Sequence, residues 1–566
     1  MATILLSAVG ASIGAGFGGS ILGLSGAVIG RAVGATLGRV IDQRLMGSGS
    51  QTVETGRVDR FRLTSASEGA PVGQIWGRMR IGGQVIWASD FTEHVKTSGG
   101  GGGGGKGAPQ PQEPTVKEYS YTVNVAVALC EGKITRVGRI WADGIEISPS
   151  DVTMRVYRGG EGQLPDPKIE AVEGAGHVPA YRGIAYVVIE DLELGQFGNR
   201  VPQFSFEVFR AAQGALVKDV TDLAHGVSGV ALLPGTGEYS LAKTRVHYTT
   251  GIGQNVSANV NTPGGKTDFT ESMDALQEEV PGCKSVSLVV SWFGNDLRCG
   301  QCTLKPKVED KRFDGVGMPW RAGGIDRSQA SEVVQDNGRS VYGGTPADAA
   351  VREAISALKS DGKAVVFYPF ILMEQLAGNG RADPWSGATD QPVLPWRGRI
   401  TLSKAPGVTG TPDRTAAADA QVSAFFGTAQ PSDFSVSGGI VSCSGPSEWS
   451  YRRFILHYAH LCASTGGVTA FCIGSEMRGL TQIRGAGDSF PAVAALRALA
   501  ADVRQILGPS VKVGYAADWS EYFGYSDAAG DLYYHLDPLW ADANIDFIGI
   551  DNYMPLSDWR DGVDHA

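Results

Sequence analysis

The sequence predicts a multidomain α+β protein in three parts: an apolar, glycine-rich N-terminal helix, a β-rich region, and a (β/α)8 TIM-barrel-like domain that is incomplete at the C-terminus. Three observations carry this. Glycines recur every four positions between Gly10 and Gly38, apolar and polar residues alternate along short runs in 52–210, and from about residue 280 apolar runs alternate with helical stripes. The boundaries read as 1–45 for the helix, 52–275 for the β-rich region with a flexible insertion at 97–112, and 280–566 for the barrel. At 566 residues the chain is too long for one hydrophobic core.

Residues 1–30 carry no charge, the first being Arg31. The stretch is long enough to span a bilayer as a helix, and it lacks the basic start of a signal peptide. Gly10, Gly14 and Gly18 share one helical face, and Gly26, Gly30, Gly34 and Gly38 resume the register after Leu22 interrupts it. Each helical glycine costs about 1 kcal/mol relative to alanine, so the series needs a compensating close contact. Small residues at this spacing let helices approach closely. The segment is therefore expected to enter a membrane or to pack against copies of itself as a plug; a flexible tail is the remaining reading.

In the β-rich region, Gln74–Gly77 and Gln84–Trp87 flank Gly82-Gly83, which reads as a hairpin. Seven glycines at 99–105 open the flexible insertion, read as a long hairpin loop or a disordered excursion. Val123, Val125, Val127 and Leu129 then alternate with smaller residues, as in a strand with one buried face. Further strands are expected at Arg139–Trp141, Ala185–Ile189 and Phe204–Phe209.

Composition narrows the function. A net charge of −10 argues against a dedicated nucleic-acid surface, although DNA could cross an acidic passage without sticking. Seven cysteines are scattered, and only Cys299 and Cys302 form C-x-x-C; no second pair or histidine pair accompanies them. They read as free thiols of a protein assembled in a reducing cytoplasm. No metal set and no cofactor motif is identified.

Three stretches resemble tail-tip hub proteins of long-tailed phages: 119–132 (YSYTVNVAVALCEG) running into 140–144 (IWADG), 179–186 (PAYRGIAY), and 197–204 (FGNRVPQF) with Glu207 and Val208 behind it. Their order and spacing resemble most closely the large baseplate-hub protein of gene transfer agents, phage-derived particles that move host DNA. This resemblance implies a structural component at the tail tip of a virion-like particle, assembled in the producer cytoplasm. It also implies a homotrimer closing the tail tube, with neighbouring tail-tube and distal-tail or baseplate proteins as partners. Host-envelope polysaccharide would be contacted outside, the outer membrane through the N-terminal segment, and DNA only in transit.

In the barrel region, Val286–Phe293, Ala364–Phe370, Thr469–Ile473, Val511–Ala517 and Ile545–Ile550 read as strands, with a weak one at Ser340–Gly343. Thr345 and Pro346 open a helix with Val351, Ile355 and Leu358 inward; Tyr451–Cys462 and the segment from Pro491 give two more. Six strands leave a (β/α)8 barrel two short, so the domain is expected to continue beyond residue 566.

Glu476 follows the fourth strand, at the rim where barrel active sites form. The segment resembles retaining glycosidases, which implies Glu476 as acid/base and a nucleophile after strand seven, beyond Ala566. Those enzymes commonly carry Asn before that Glu, and here Ser475 stands there. Residues 546–553 (DFIGIDNY) resemble the sixth strand of the same enzymes. Trp292, Asp518, Trp519, Asp551 and Tyr553 are the expected sugar-binding residues, and Arg478 the expected structural partner of Glu476. Glycoside hydrolase activity is left open. The competing readings are a membrane-anchored or secreted retaining glycoside hydrolase with accessory β domains, and a pure adhesin.

Overall fold

The computed structural model describes residues 71–98, 116–147, 152–210 and 223–554 apart from short gaps, with isolated strand segments before residue 56. It divides into two compact units, one up to Asp222 and one from Leu223 onward.

The first unit is a β-sandwich. Its strands are β1 (Gly77–Gly82), β2 (Gln84–Ala88), β3 (Thr92–Ser98), β4 (Val116–Glu131), β5 (Arg136–Ala142), β6 (Ile145–Ile147), β7 (Thr153–Arg158), β8 (Ile184–Glu193) and β9 (Phe204–Arg210). Helix α1 (Pro167–Glu173) lies between β7 and β8, N-capped by Asp166, whose carboxylate accepts from the Lys168 and Ile169 amides. One sheet runs β7-β8-β4, with β2 and β3 also paired to β4; the other runs β1-β9-β5-β6. Alternate residues Val123, Val125, Val127, Val187 and Ile189 of the first sheet meet Ile140, Phe206 and Val208 of the second in one core. The period-two pattern therefore has its expected cause, burial of one face.

The Gly82-Gly83 pair is not a hairpin. β1 pairs with β9 and β2 with β4, so the glycines carry the chain from one layer to the other. A Cβ on Gly83 would stand 2.1 Å from Val127 Cγ1, so the crossing needs glycine for its closeness to β4. Asp143-Gly144 does form a turn, both residues with positive φ (52° and 82°), joining β5 to β6. Arg200 reaches the Asp143 carboxylate at 2.7 Å and the Gln203 amide donates to it at 3.0 Å. Two of the three sequence stretches noted above thus meet in space. Ser98 pairs with Val116, so the glycine-rich insertion joins the paired ends of β3 and β4.

The second unit is built on six parallel strands in chain order: β10 (Gly229–Leu232), β11 (Ser285–Gly294), β12 (Ala364–Met373), β13 (Ala470–Ser475), β14 (Lys512–Asp518) and β15 (Phe547–Asp551). Between them run α2 (Asp268–Glu279), α3 (Asp348–Ser360), α4 (Ala416–Phe426), α5 (Tyr451–Ser464), α6 (Pro491–Leu507) and the short α7 (Trp519–Tyr522). The result is a parallel half-barrel. Val286, Leu288 and Val290 of β11 and Val365 and Phe367 of β12 are buried with residues of the helices in one cluster. Tyr368 and Phe370, on the other face of β12, are half-buried.

Two expectations change here. Residues 229–232 form the first parallel strand, so the barrel-like unit begins some fifty residues before 280. The apolar run there is too short to separate from a loop by periodicity. The weak strand at Ser340–Gly343 lies outside this sheet; Arg339–Ser340 pairs back on Gln335–Asp336 as a small hairpin. The count of six stands with a different member, and Glu476 still follows the fourth strand. α3 is capped at Ala347, while the Thr345 hydroxyl donates to the Ser291 carbonyl at 3.0 Å.

Of residues 1–45, only Ser20–Ile21 and Leu24–Ser25 are described, as two paired strands. The rest of the expected helix, with Gly10, Gly14, Gly18, Gly26, Gly30, Gly34 and Gly38, lies outside the described residues. Among the described residues, no helix is long and apolar enough to cross a membrane.

Candidate functional site: a buried carboxylate beneath the barrel rim

Glu476 sits one residue past β13 and is buried, with a left-handed backbone (φ 50°). Such a conformation costs a non-glycine residue on the order of 1–3 kcal/mol and persists only where neighbours enforce it. Here the Glu476 amide donates to the Ala516 carbonyl at 2.8 Å, and the Met477 amide donates to the Tyr515 hydroxyl at 2.8 Å. Both anchors belong to β14, so the strand pairing itself aims the side chain.

Three donors take up the carboxylate. Trp396 Nε1 donates to Oε2 at 2.5 Å, Arg397 Nη2 lies 3.1 Å from the same oxygen, and the Tyr553 hydroxyl donates to Oε1 at 2.8 Å. Arg397 is itself buried; its Nε donates to the Ser475 carbonyl (3.0 Å), its Nη2 to the Ser475 hydroxyl (2.9 Å), and its guanidinium stacks on Phe370 at 3.7 Å. Ser475 thus serves the arginine. A Cβ on Gly398 would stand 2.4 Å from the Trp396 ring, so glycine there permits the loop to fold the indole back.

Asp551, at the end of β15, joins this group. It accepts from the Tyr368 hydroxyl at 2.5 Å, and it is near enough to Glu476 for the two charges to interact. Burial and the neighbouring Glu476 charge push the Asp551 carboxyl up to about 6, against the Tyr368 hydrogen bond. Two carboxyl groups therefore meet at the rim, the second on strand six.

The other expected residues divide. Tyr553 and Asp551 are brought to Glu476. Trp519 is exposed at the start of α7. Asp518 is buried and caps α7, its carboxylate accepting from the Ser520 amide at 2.9 Å, so it is a structural residue. Trp292 is fully buried, its Nε1 donating to the Tyr458 hydroxyl at 3.1 Å and its ring 5.0 Å from that of Phe454. It lies on the helix-facing side of β11, because strand alternation puts it in step with Val286, Leu288 and Val290. Arg478 is exposed, and Arg397 takes the place expected for it.

Sequence reasoning missed Trp396, Arg397 and Tyr368. The first two lie in a proline- and glycine-rich loop without periodicity; the signal available was Pro395-Trp396-Arg397 following a barrel strand. Tyr368 was visible only as part of an apolar run.

Beside the rim, Glu521 is fully buried, accepting from the Thr481 hydroxyl (2.6 Å), the Tyr515 hydroxyl (3.0 Å) and the Asp518 amide (3.2 Å). Burial pushes its carboxyl up to about 7. The folded state therefore holds a proton that the unfolded chain releases near pH 4.5. This stabilisation is complete below that pH and is lost as pH rises through 7, about 3 kcal/mol in all. Thermal melts of Glu521→Gln across this range are expected to show a shallower decline than the unaltered chain, the remainder coming from groups such as Asp551.

All seven cysteines are free thiols, and burial pushes those of Cys299 and Cys302 up to about 12. Among the described residues, no group of His, Cys, Asp or Glu is arranged to hold a metal ion.

Residues 449–566 match the family described as the GTA TIM-barrel-like domain. A solved structure of the virion of a native gene transfer agent (GTA) particle is similar at 59% identity, covering 41% of this chain and 44% of that one, with a TM-score of 0.24. The chain thus spans less than half the length of the virion chain it matches. A GH113 β-1,4-mannanase complex is similar at 18% identity over 51% of this chain and 58% of that chain, TM-score 0.25. The GH113 β-mannanase AaManA of Alicyclobacillus acidocaldarius is similar at 16% identity over 42% and 45%, TM-score 0.20. At that level of likeness no mannanase chemistry carries over. Comparison with curated proteins gives no match. Residues 449–566, which include β13 and its buried glutamate, are thus similar to the family of gene transfer agent TIM-barrel-like domains.

Proposed function

We propose that this chain is a baseplate-hub component at the tail tip of a gene transfer agent particle, and that its half-barrel displays a sugar-binding face to the host envelope. The observation that carries the hub reading is the 59% identity to a gene transfer agent virion component. The ordered stretches at 119–144, 179–186 and 197–208 support it, since they build one sandwich rather than a catalytic site. In this reading several copies close the tail tube, tail-tube and distal-tail proteins flank it, and DNA passes without specific binding. Purified particles are the test; absence of the chain from assembled tails overturns the hub role.

For the barrel face, binding is favoured over turnover. A general acid must hold a proton within reach of a leaving oxygen, and a retaining pair needs about 5 Å between its carboxyl groups. Both Glu476 oxygens are instead engaged by protein donors, one of them a buried guanidinium. The exposed rings of Trp519 and Tyr553, with the half-exposed Trp385 and Trp396, suit sugar C–H surfaces. The full chain is expected to sediment with host-envelope polysaccharide without releasing reducing ends, and Trp519→Ala to weaken that retention several-fold. Release of reducing ends that Glu476→Gln abolishes would instead establish Glu476 as a catalyst.

A further inference from the structure

The loop that brings Trp396 and Arg397 to Glu476 also carries Trp385 and Arg399. Trp385 Nε1 donates to the Arg399 carbonyl at 2.8 Å, and the Arg399 guanidinium lies over the half-exposed Trp385 ring at 5.5 Å. A Cβ on Gly479 would stand 2.8 Å from the Gly398 and Ile400 carbonyl oxygens and 3.2 Å from Trp385 Cζ2. The turn Arg478–Thr481 therefore lies directly against this loop, and it sets the exposed Arg478 one residue from the Trp385 contact.

Neither arginine is neutralised by the protein. The carboxylate paired with Arg399 is that of Asp383, at 3.9 Å, too far for a hydrogen bond. Asp383 is spent within its own turn, accepting from the Trp385 and Ser386 amides and the Ser386 hydroxyl. Arg399 Nε is buried and has no hydrogen-bond partner among the described residues. Arg478 forms no ion pair among them. The other charges between residues 381 and 404 are engaged. Arg397 is on Glu476, Asp390 accepts from the Gly380 amide at 2.7 Å, and Lys404 donates to the Thr409 carbonyl at 3.1 Å. Arg381 lies 3.8 Å from Asp296, which Arg298 holds at 2.7 Å. Asp551 keeps the Glu476 end of the rim acidic, so the unspent positive charge lies at the Trp385 end.

We propose that this end of the rim takes an anionic polysaccharide: sugar rings rest on Trp385 and Trp396, and a carboxylate or phosphate on the sugar is held by Arg399 and Arg478. A guanidinium stacked on an indole is ordered before the ligand arrives, and its planar fork of donors fits either group. A neutral polysaccharide leaves those donors unmet. The inference rests on the sugar-binding reading of the half-barrel and names the class of sugar and the residues that select it.

The test is retention of host-envelope polysaccharide by the full chain, with the polysaccharide in three forms: untreated, carboxyl-reduced with carbodiimide and borohydride, and dephosphorylated with hydrofluoric acid. The untreated form is expected to bind at least about tenfold more tightly than a form stripped of the recognised group, and which treatment weakens binding identifies that group. Arg399→Gln with Arg478→Gln is expected to bring the untreated form down to the level of the stripped one. Both side chains reach solvent, so retention of the stripped form should stay as it is in the unaltered chain, which separates lost selection from lost folding. Arg80→Gln, at an exposed arginine of the first unit, is expected to change nothing. Equal retention of all three forms overturns the proposal and leaves the sugar-binding reading standing, whereas no retention of any form overturns both. Preserved preference in the double variant, or an equal loss in Arg80→Gln, also overturns it. Duplex DNA that competes as well as the untreated polysaccharide would mark a general polyanion surface and overturn it too.

Discussion

Arg397→Leu is expected to destabilise the barrel-like unit by about 3–5 kcal/mol, the cost of leaving a buried charge without its partner. Arg397 touches Glu476, Ser475 and Phe370 at once, the first two of them buried. Removing it strands the Glu476 carboxylate beside Asp551, where two negative groups then share one pocket. Arg397→Leu combined with Glu476→Leu should recover much of the loss, because an apolar pair of similar volume carries no desolvation penalty. Arg478→Leu, at the exposed position that sequence proximity favours, should change stability by less than about 0.5 kcal/mol. Urea midpoints of the four chains decide the matter, and equal losses for Arg397→Leu and Arg478→Leu would refute the assignment.

Trp292→Ala is expected to cost a further class of stability, about 3–5 kcal/mol for deleting a large buried aromatic side chain. The indole packs against Phe454, Trp449 and His457 and donates to Tyr458. A Cβ on Gly323 would stand 2.8 Å from it, so the chain crosses the ring at closest approach. Loss of this ring opens a cavity between β11 and α5 and leaves the Tyr458 hydroxyl without its partner. Polysaccharide retention per folded molecule should be unchanged. Trp519→Ala should show the reverse, near-native stability with weakened retention. A stable Trp292→Ala chain that no longer binds sugar would restore Trp292 to the rim.

These two residues show where sequence reasoning stopped. Trp292 stands at the end of a strand run, and a terminal aromatic on a barrel strand reads as a rim residue. Its side is decided by the period of two, and the alternation that buries Val286 and Leu288 carries on to Trp292. That reading was available from the residues themselves. Arg397 was not, because it lies 79 positions from Glu476 in a loop whose path no local pattern specifies. Gly82-Gly83 failed for a related reason: turn chemistry marks a change of direction, while the strand that each flank joins depends on the layer it can bury against.

What the sequence by itself determined is the local and periodic content. It set the alternation of the sandwich strands, the helices at 451–464 and 491–507, and Glu476 after the fourth parallel strand. These follow from side-chain period, capping and backbone preference within a few residues. Tertiary structure alone decided that 229–232 opens the parallel sheet, that Asp551 supplies a second carboxyl beside Glu476, and that Trp396, Arg397 and Tyr553 occupy the carboxylate expected to act as an acid. The physical reason is that hydrogen bonding and ion pairing of a buried charge depend on which distant segments converge there. A carboxylate's position can be read from one strand; its chemistry depends on the groups that the loop at 396–397 and the segment at 551–553 bring to it.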